Sequence, residues 1–231
     1  MKNLIKLSIV AFGLTIGAIV HAQSFGIKAG LNIANQLMID DDRVISNNFK
    51  MNPGFNVGAT VEFPLSSIFS LETGLLLSTK GYKTYKETVV LGQTFTYDSK
   101  INLLYLDIPL TAKASADVGS VKIFGIFGPY IGVGLNGKTK TKVTGLGNVN
   151  EEEKIIRWGS DDDRHDYRSL DFGLTMTAGV EIKSVQIMLS YGHGLANIAP
   201  KDYDDDDLDD FDDIIRNRVI GISIGYKFGG K

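Results

Sequence analysis

The chain has 231 residues, with 24 Lys and Arg against 27 Asp and Glu, and a formal net charge of −3 argues against nucleic acid as a partner. It holds no cysteine, which excludes disulfides and thiolate metal sites. Beyond the N-terminal stretch no apolar run reaches the length of a membrane helix, so an exported chain of this kind crosses a bilayer only as a closed barrel.

Lys2 and Lys6 precede an apolar run from Leu7 to Val20, and Val20-His21-Ala22 ends in small residues at the cleavage positions. This pattern predicts a secretory signal peptide cut near Ala22. The run is short for a membrane anchor and no stop-transfer pattern follows it. No Cys stands at the cleavage site for lipoprotein processing. Residues 23–231 are then expected to form one domain.

The first predicted strand spans about Ser24 to Ile33, with Phe25, Ile27, Ala29, Leu31 and Ile33 on one face and Ser24, Gly26, Lys28, Gly30 and Asn32 on the other. Alternation at period two marks a strand with two chemically different faces. A polar loop with Asp40-Asp41-Asp42 and Asn47-Asn48 follows. The second strand, about Gly54 to Phe63, sets Phe55, Val57, Ala59, Val61 and Phe63 against Asn56, Gly58, Thr60 and Glu62. After a short turn the third, about Ile68 to Tyr82, opposes Phe69, Leu71, Leu75 and Leu77 to Ser70, Glu72, Gly74, Ser78 and Lys80. Residues 83–95 read as a polar loop that could carry the hairpin upward.

The fourth strand, about Thr96 to Ala112, places Leu104, Leu106, Ile108, Leu110 and Ala112 opposite Tyr105, Asp107, Thr111 and Lys113. Pro109 cannot donate to a ladder, which predicts a bulge or a missing bond there. Asp117 to Ser120 turns into the fifth strand, about Val121 to Leu135. A segment of roughly thirty residues without apolar periodicity follows, carrying Glu151-Glu152-Glu153, Trp158 and Asp161-Asp162-Asp163, and is read as a long loop. The sixth strand, Leu170 to Ile182, alternates cleanly, and Lys183-Ser184 turns into a seventh with Val185, Ile187, Leu189 and Tyr191. After an Asp-rich run from Asp202 to Asp213, the last strand sets Ile220, Ile222, Ile224, Tyr226 and Phe228 against Val219, Gly221, Ser223, Gly225 and Lys227.

Short connections alternate with long ones, placing segments 34–53, 83–95, 136–168 and 196–216 on one side as outer loops. A soluble lipocalin-like barrel would also use eight strands, but would turn its apolar side chains inward around a ligand. Here one face is aliphatic on nearly every strand, and the other holds Gly, Ser, Thr, Asn and charges. The expectation is an all-β, eight-stranded antiparallel up-and-down transmembrane β-barrel, closed by pairing the last strand with the first. Tyr82, Tyr85, Tyr97, Tyr167 and Tyr191 then fall near outer strand ends, and Phe25, Phe63, Phe69, Tyr226 and Phe228 near inner ones, as interfacial aromatics.

The inward face would carry Glu62, Glu72, Asp107, Asp171 and Glu181 against Lys28, Lys80, Lys113, Lys122 and Lys227. Lys113 and Lys122 sit near turns, where solvation is the alternative for them, and the central lumen charge network is Lys28, Glu62, Glu72, Lys80, Asp107, Asp171, Glu181 and Lys227. An eight-stranded barrel is just wide enough for its own side chains to fill, and buried charges must be paired, so the balance of five inward acids and five inward bases predicts a plugged lumen. A pore would require the network to rearrange.

Candidate chemistry is thin. Ser190, His193 and nearby aspartates sketch a hydrolase triad, but no Gly-x-Ser-x-Gly elbow exists and Ser190 and His193 have opposite alternation. His165 among Asp161-Asp162-Asp163 and Asp166 reads as part of a solvated acidic loop. Asp204, Asp205, Asp206, Asp207 and Asp209 offer the oxygen ligands that divalent ions such as calcium prefer, without the EF-hand pattern. Against that stands a hydrated loop that repels itself. No enzyme activity and no cofactor are expected.

In order along the chain stand Gly26-Ile27-Lys28-Ala29-Gly30-Leu31-Asn32, Pro53-Gly54-Phe55, Leu75 to Gly81, Leu104-Tyr105-Leu106-Asp107-Ile108-Pro109, Gly128-Pro129-Tyr130, Asp171-Phe172-Gly173, Tyr191-Gly192-His193-Gly194-Leu195 and Asn217 to Phe228. Together they resemble the PorT-like, porin-like outer-membrane β-barrel family. Asp107 stands where that family more often has Glu, and the Asp-rich last loop has no counterpart in it. The resemblance implies an outer-membrane barrel with eight strands and supplies no catalytic residues. The expected role is that of a non-enzymatic barrel of a Gram-negative outer membrane, serving envelope structure, interaction or weak transport. Expected partners are outer-membrane lipid, barrel-assembly machinery reading a terminal aromatic such as Phe228, and envelope proteins met through the outer loops. Since some relatives assist secretion, a secretion or assembly component is the alternative role, with a soluble periplasmic lipocalin-like binder the other.

Overall fold

The structure is a computed structural model that describes residues 23–40, 43–44, 49–90, 92–145, 148–160, 164–200 and 214–229. The predicted signal peptide, Asp161-Asp162-Asp163 and the Asp-rich run, with Asp204, Asp205, Asp206, Asp207 and Asp209, lie outside the described residues.

Ten strands follow in order: β1 (Ser24–Asp40), β2 (Arg43–Val44), β3 (Asn52–Pro64), β4 (Phe69–Val90), β5 (Gln93–Val118), β6 (Val121–Gly145), β7 (Asn148–Ile155), β8 (Leu170–Ile182), β9 (Val185–Gly194) and β10 (Ile214–Phe228). Eight of them form an antiparallel ring, β1-β3-β4-β5-β6-β8-β9-β10, which β10 closes by pairing with β1. The seam runs from Phe25↔Phe228 to Ile39↔Ile214 without a register shift. Strand β2 folds back on β1, and β7 pairs only with β6, outside the ring.

The two faces explain why the sheet closes. Leu31 is 72% exposed, Ile224 62%, Ile222 59% and Leu75 55%, while inward Asn32, Ser78, Lys80, Thr111, Asp171 and Ser223 are buried. A soluble ligand-carrying barrel would invert that arrangement. With aliphatic side chains outward, the surroundings cannot hydrogen-bond a free edge, and only closure satisfies every ladder group.

The ring extends farther than the hydrophobic pattern predicts. Residues 83–95, read as a loop, continue the β4–β5 hairpin up to Val90↔Gln93. The predicted long loop after Leu135 contains ten more residues of β6 and the whole of β7, paired from Lys138↔Ile155 to Gly145↔Asn148. Above the apolar belt both faces of a sheet meet water, so no alternation is required there. Cross-strand charge pairs such as Lys140–Glu153, at 2.9 Å, accompany the ladder instead. Gly81 marks the start of this extension on β4, with φ of 117° and a backbone so close to Ile101 that a Cβ would strike its carbonyl oxygen.

The irregularity expected at Pro109 divides into two. On the β4 side the pairing passes from Thr73↔Leu110 to Leu76↔Asp107 without Pro109, whose carbonyl accepts the Thr73 hydroxyl at 2.7 Å. The register shift itself lies between Leu104 and Tyr105, on the β6 side. That bulge inverts the phase of β6: even-numbered residues face inward from Phe124 to Gly132, and odd-numbered Gly137 does so above. Lys138, Lys140 and Lys142 are thereby turned outward.

Ile222→Arg, at an outward position, is expected to cost about 2–4 kcal/mol if it lies near the bilayer midplane. Ser223→Ala, one residue along but inward, removes a hydrogen bond to Asn56 and is expected to cost about 1 kcal/mol. Urea unfolding in lipid vesicles, followed by gel mobility, compares them; equal costs would contradict the assignment of faces.

Candidate functional site: the filled lumen

Alternation along the strands brings all eight residues of the expected charge network to the inside of the ring, where they divide into two tiers. In the upper tier Lys80 from β4 lies 2.8 Å from Asp107 on β5 and 2.9 Å from Asp171 on β8. Its ammonium also sits 4.5 Å from the ring centroids of both Tyr105 and Tyr130. Asp171 is fully buried, and its Oδ2 further accepts from Asn217 at 3.0 Å and from the Tyr130 hydroxyl at 3.3 Å. Asn217 in turn accepts from Gln36 at 2.9 Å, joining β10 to β1 behind the carboxylate. One ammonium thus serves two carboxylates in a buried environment, where charge-assisted bonds are strong and a missing partner is costly.

In the lower tier Glu62 and Glu72 face each other across β3 and β4, an arrangement that repels unless cations intervene. Three lysines do so. Lys113 reaches Glu62 at 2.9 Å and Lys227 reaches it at 3.1 Å, while Lys28 stands 3.9 Å from Glu72. Glu181 lies 4.0 Å from Lys227 and accepts from Gln186 at 2.7 Å. Between the tiers remains a cavity of about 110 Å³, lined among others by Lys28, Glu72, Lys80, Asp107, Tyr130 and Ser223.

Lys113, counted among the inward bases with solvation as its alternative, lies inside the ring. It is 1% exposed, with its ammonium 4.4 Å from the Phe124 ring, because β5 runs on to Val118 and keeps position 113 inside the ring. Lys122 does sit near a turn, 3.8 Å from exposed Asp117.

A second closure was not foreseen from sequence. Leu103 and Tyr105 from β5 pack with Ile156 and Tyr167 from the segment after β7, with Ala196, Ile198 and Ala199 from the segment after β9, and with Ile215. Trp158 packs against this cluster edge-on to Tyr105, at a centroid distance of 5.5 Å. Gly134 makes room for it, since a Cβ there would fall 2.7 Å from the indole. Ile198 is fully buried, donates to the Ile215 carbonyl at 2.9 Å and accepts from Arg168 at 2.9 Å. Scattered apolar residues in segments without period gave no signal of this cap. Tyr167, expected at the outer interface, belongs to the cap and is 5% exposed, and burial pushes its hydroxyl pKa well above the ordinary value. Tyr82 stacks on Phe49 at 4.1 Å, and Tyr85 lies on the extension, eight residues beyond Leu77.

The remaining candidates do not assemble. Ser190 donates to the Gly221 carbonyl at 3.4 Å, whereas His193 contacts the Tyr191 hydroxyl at 3.3 Å on the opposite face of β9. The His165 ring packs over Gly159. Among the described residues no group of three or more His, Asp or Glu is placed to hold a metal ion.

Lys80→Ala should be strongly destabilising, by about 3–5 kcal/mol, because it leaves two buried carboxylates without their cation. Asp107→Asn keeps the shape and removes one of the two negative charges, and should cost no more than about 1 kcal/mol. Denaturant titration of the folded barrel measures both, and equal penalties would contradict the two-carboxylate arrangement. On the extension, hydrogen bonds from Lys138 and Lys140 hold the Glu153 carboxyl down at about 2. A carboxyl with a lowered folded pKa stabilises above its unfolded value, about 4.3, and loses that contribution as pH falls through about 2. Carboxyl NMR should give a Glu153 midpoint near that value, rising toward the ordinary glutamate range in a Lys138→Gln/Lys140→Gln variant.

No curated protein matches the chain. Among solved structures it is similar to the attachment invasion locus protein Ail of Yersinia pestis, at 16% identity over 90% of this chain and 99% of that one, with a TM-score of 0.32. Neisserial surface protein A gives 12% identity over 88% and 97%, with a TM-score of 0.40. The N-terminal β-barrel domain of Pseudomonas aeruginosa OprF gives 11% over 89% and 97%, with a TM-score of 0.30. The family described as outer membrane protein beta-barrel domain matches residues 21–199. With that match spanning most of the chain, the protein belongs to the outer membrane protein beta-barrel domain family.

Proposed function

We propose that the protein is a non-enzymatic, PorT-type barrel of the Gram-negative outer membrane, exported by a signal peptide cleaved near Ala22, whose lumen is closed and whose role is carried by its outer surface. The observation that carries this reading is the double stopper: the Lys80–Asp107–Asp171 tier beneath an apolar cap that includes fully buried Ile198. A permeant ion would have to break buried ion pairs and displace packed side chains. The 110 Å³ cavity between the tiers is a pocket of a few water volumes and not a path. The role left to such a barrel is structural or interactive. The sheet formed by β4, β5, β6 and β7 beyond the belt offers a surface for it.

That same extension favours a second reading, membership of a secretion or assembly apparatus. Strand β7 is exposed along its whole length and pairs with β6 alone, leaving an edge where a partner's strand could add. The acidic run Glu151-Glu152-Glu153 on that strand opposes promiscuous pairing. The possible divalent site at Asp204, Asp205, Asp206, Asp207 and Asp209 is a separate proposal, which calorimetry with millimolar calcium tests: heat of binding supports it and its absence refutes it.

Planar-bilayer recording of the purified protein should show no stable stepwise conductance. A large, persistent conductance from the folded protein would contradict the closed lumen. Cross-linking in intact envelopes followed by solubilisation distinguishes the two roles, since a stoichiometric secretion partner supports the second.

A further inference from the structure

On its outward face the β4–β7 sheet changes abruptly from apolar to cationic. Lys50 bridges to Lys83 through backbone bonds of 2.7 and 3.1 Å, Lys83 stands opposite Lys100, and Lys100 opposite Lys140. Residues paired in register share a face, so four lysines stand abreast on neighbouring strands. At about 4.8 Å between strands, the row is about 15 Å long. Like charges directly opposite one another destabilise a sheet unless something neutralises them.

The protein supplies neutralisation at one end only. Glu153 takes Lys140 at 2.9 Å together with Lys138 at 2.6 Å, and Glu151 takes Lys142 at 3.2 Å. Lys50 rests 4.4 Å over the Tyr85 ring. Lys83 and Lys100, in the middle, have no ion pair among the described residues. The other acids on this face lie farther from the belt: Asp98 opposite Tyr85 and Lys142, and Glu87 bonded by the Tyr85 hydroxyl at 3.3 Å.

The height of the row identifies the counter-charge. On β5 the last aliphatic residue of the belt, Leu104, is four residues below Lys100, which is about 13 Å along the strand and about 9 Å along the normal at a tilt of about 45°. Headgroups occupy about 5–7 Å beyond the hydrocarbon on each side, within reach of a lysine that snorkels. Apolar surface comes right up to the row: Ile155, opposite Lys138, is 67% exposed. A free anion needs no such apolar border, whereas a lipid does.

We propose that Lys83 and Lys100, flanked by Lys50, bind the phosphate groups of a phosphorylated outer-leaflet glycolipid, whose acyl chains lie against the belt below. This rests on the reading of the outward face as membrane-embedded and outer-leaflet at this end. It gives the lysine row a partner and fixes how deep the barrel sits.

The test uses the full mature chain, folded in neutral micelles and titrated with bisphosphorylated lipid A or the same lipid stripped of its phosphates. The phosphorylated lipid should bind more tightly, more weakly as salt rises, and about fivefold more weakly for each lysine removed in Lys83→Gln/Lys100→Gln. Lys100→Gln alone provides the same readout if the double variant does not fold. Lys154→Gln, on the opposite face of β7 and paired with Asp166, should leave binding unchanged. Equal binding of the dephosphorylated lipid, an equal loss in Lys154→Gln, or full displacement by millimolar inorganic phosphate would overturn the proposal. Heat-dependent gel mobility, recorded for every variant, separates failure of the lipid site from failure of the barrel.

Discussion

Everything in this molecule depends on one constraint: a backbone amide or carbonyl facing hydrocarbon must be bonded within the protein. The strand from Ile214 to Phe228 satisfies it by pairing along its length with Ser24–Asp40, which removes the last open edge of the ring. Once the ring is closed, alternation forces half the side chains into a narrow interior. Their polarity then becomes the interior's problem, because an eight-stranded ring has little room for water to solvate them.

The solution is pairing in tiers. Lys80 and its two carboxylates, with two tyrosine rings around the ammonium, tie β4, β5 and β8 together across the lumen. Glu62 with Lys113 and Lys227 does the same for β3, β5 and β10 near the other end. These contacts fall between strands that are not neighbours in the ring as well as between neighbours, so they brace its cross-section in a way that ladder bonds cannot. Such networks favour one arrangement over alternatives more than they add stability. A lumen built for braced pairing is poorly suited to conduction, which is the ground for the proposed role on the outer surface.

The parts legible in the sequence were those where lipid imposes a period. Ile220, Ile222 and Ile224 opposite Gly221, Ser223 and Gly225 define faces, closure and the inward charge set, because each outward position must be apolar. Where lipid ends, that rule lapses. Lys138 to Gly145 and Asn148 to Ile155 form a regular hairpin beyond the hydrocarbon, with mostly polar residues on both faces, so nothing in their hydrophobicity marks them as strands. The cap escaped notice for a different reason. Ile156, Trp158, Tyr167 and Ile198 come from irregular segments, and only the fold brings them over Tyr105. The inward side of Lys113 was legible from alternation, but its burial was not, since the end of its strand lies five residues later.

The most direct test of the account is disulfide trapping across the seam, which the absence of native cysteine makes clean. Leu31 and Ile222 are register partners on β1 and β10, and paired positions bring Cα atoms within about 4.5–5.5 Å, inside the range that a disulfide spans. In the folded, membrane-inserted protein, a Leu31→Cys/Ile222→Cys variant should oxidise to an intramolecular disulfide, whereas Leu31→Cys with Val219→Cys, off register and on the opposite face, should not. Failure of the first pair to close, or equal closure of both, would contradict a ring sealed by its first and last strands.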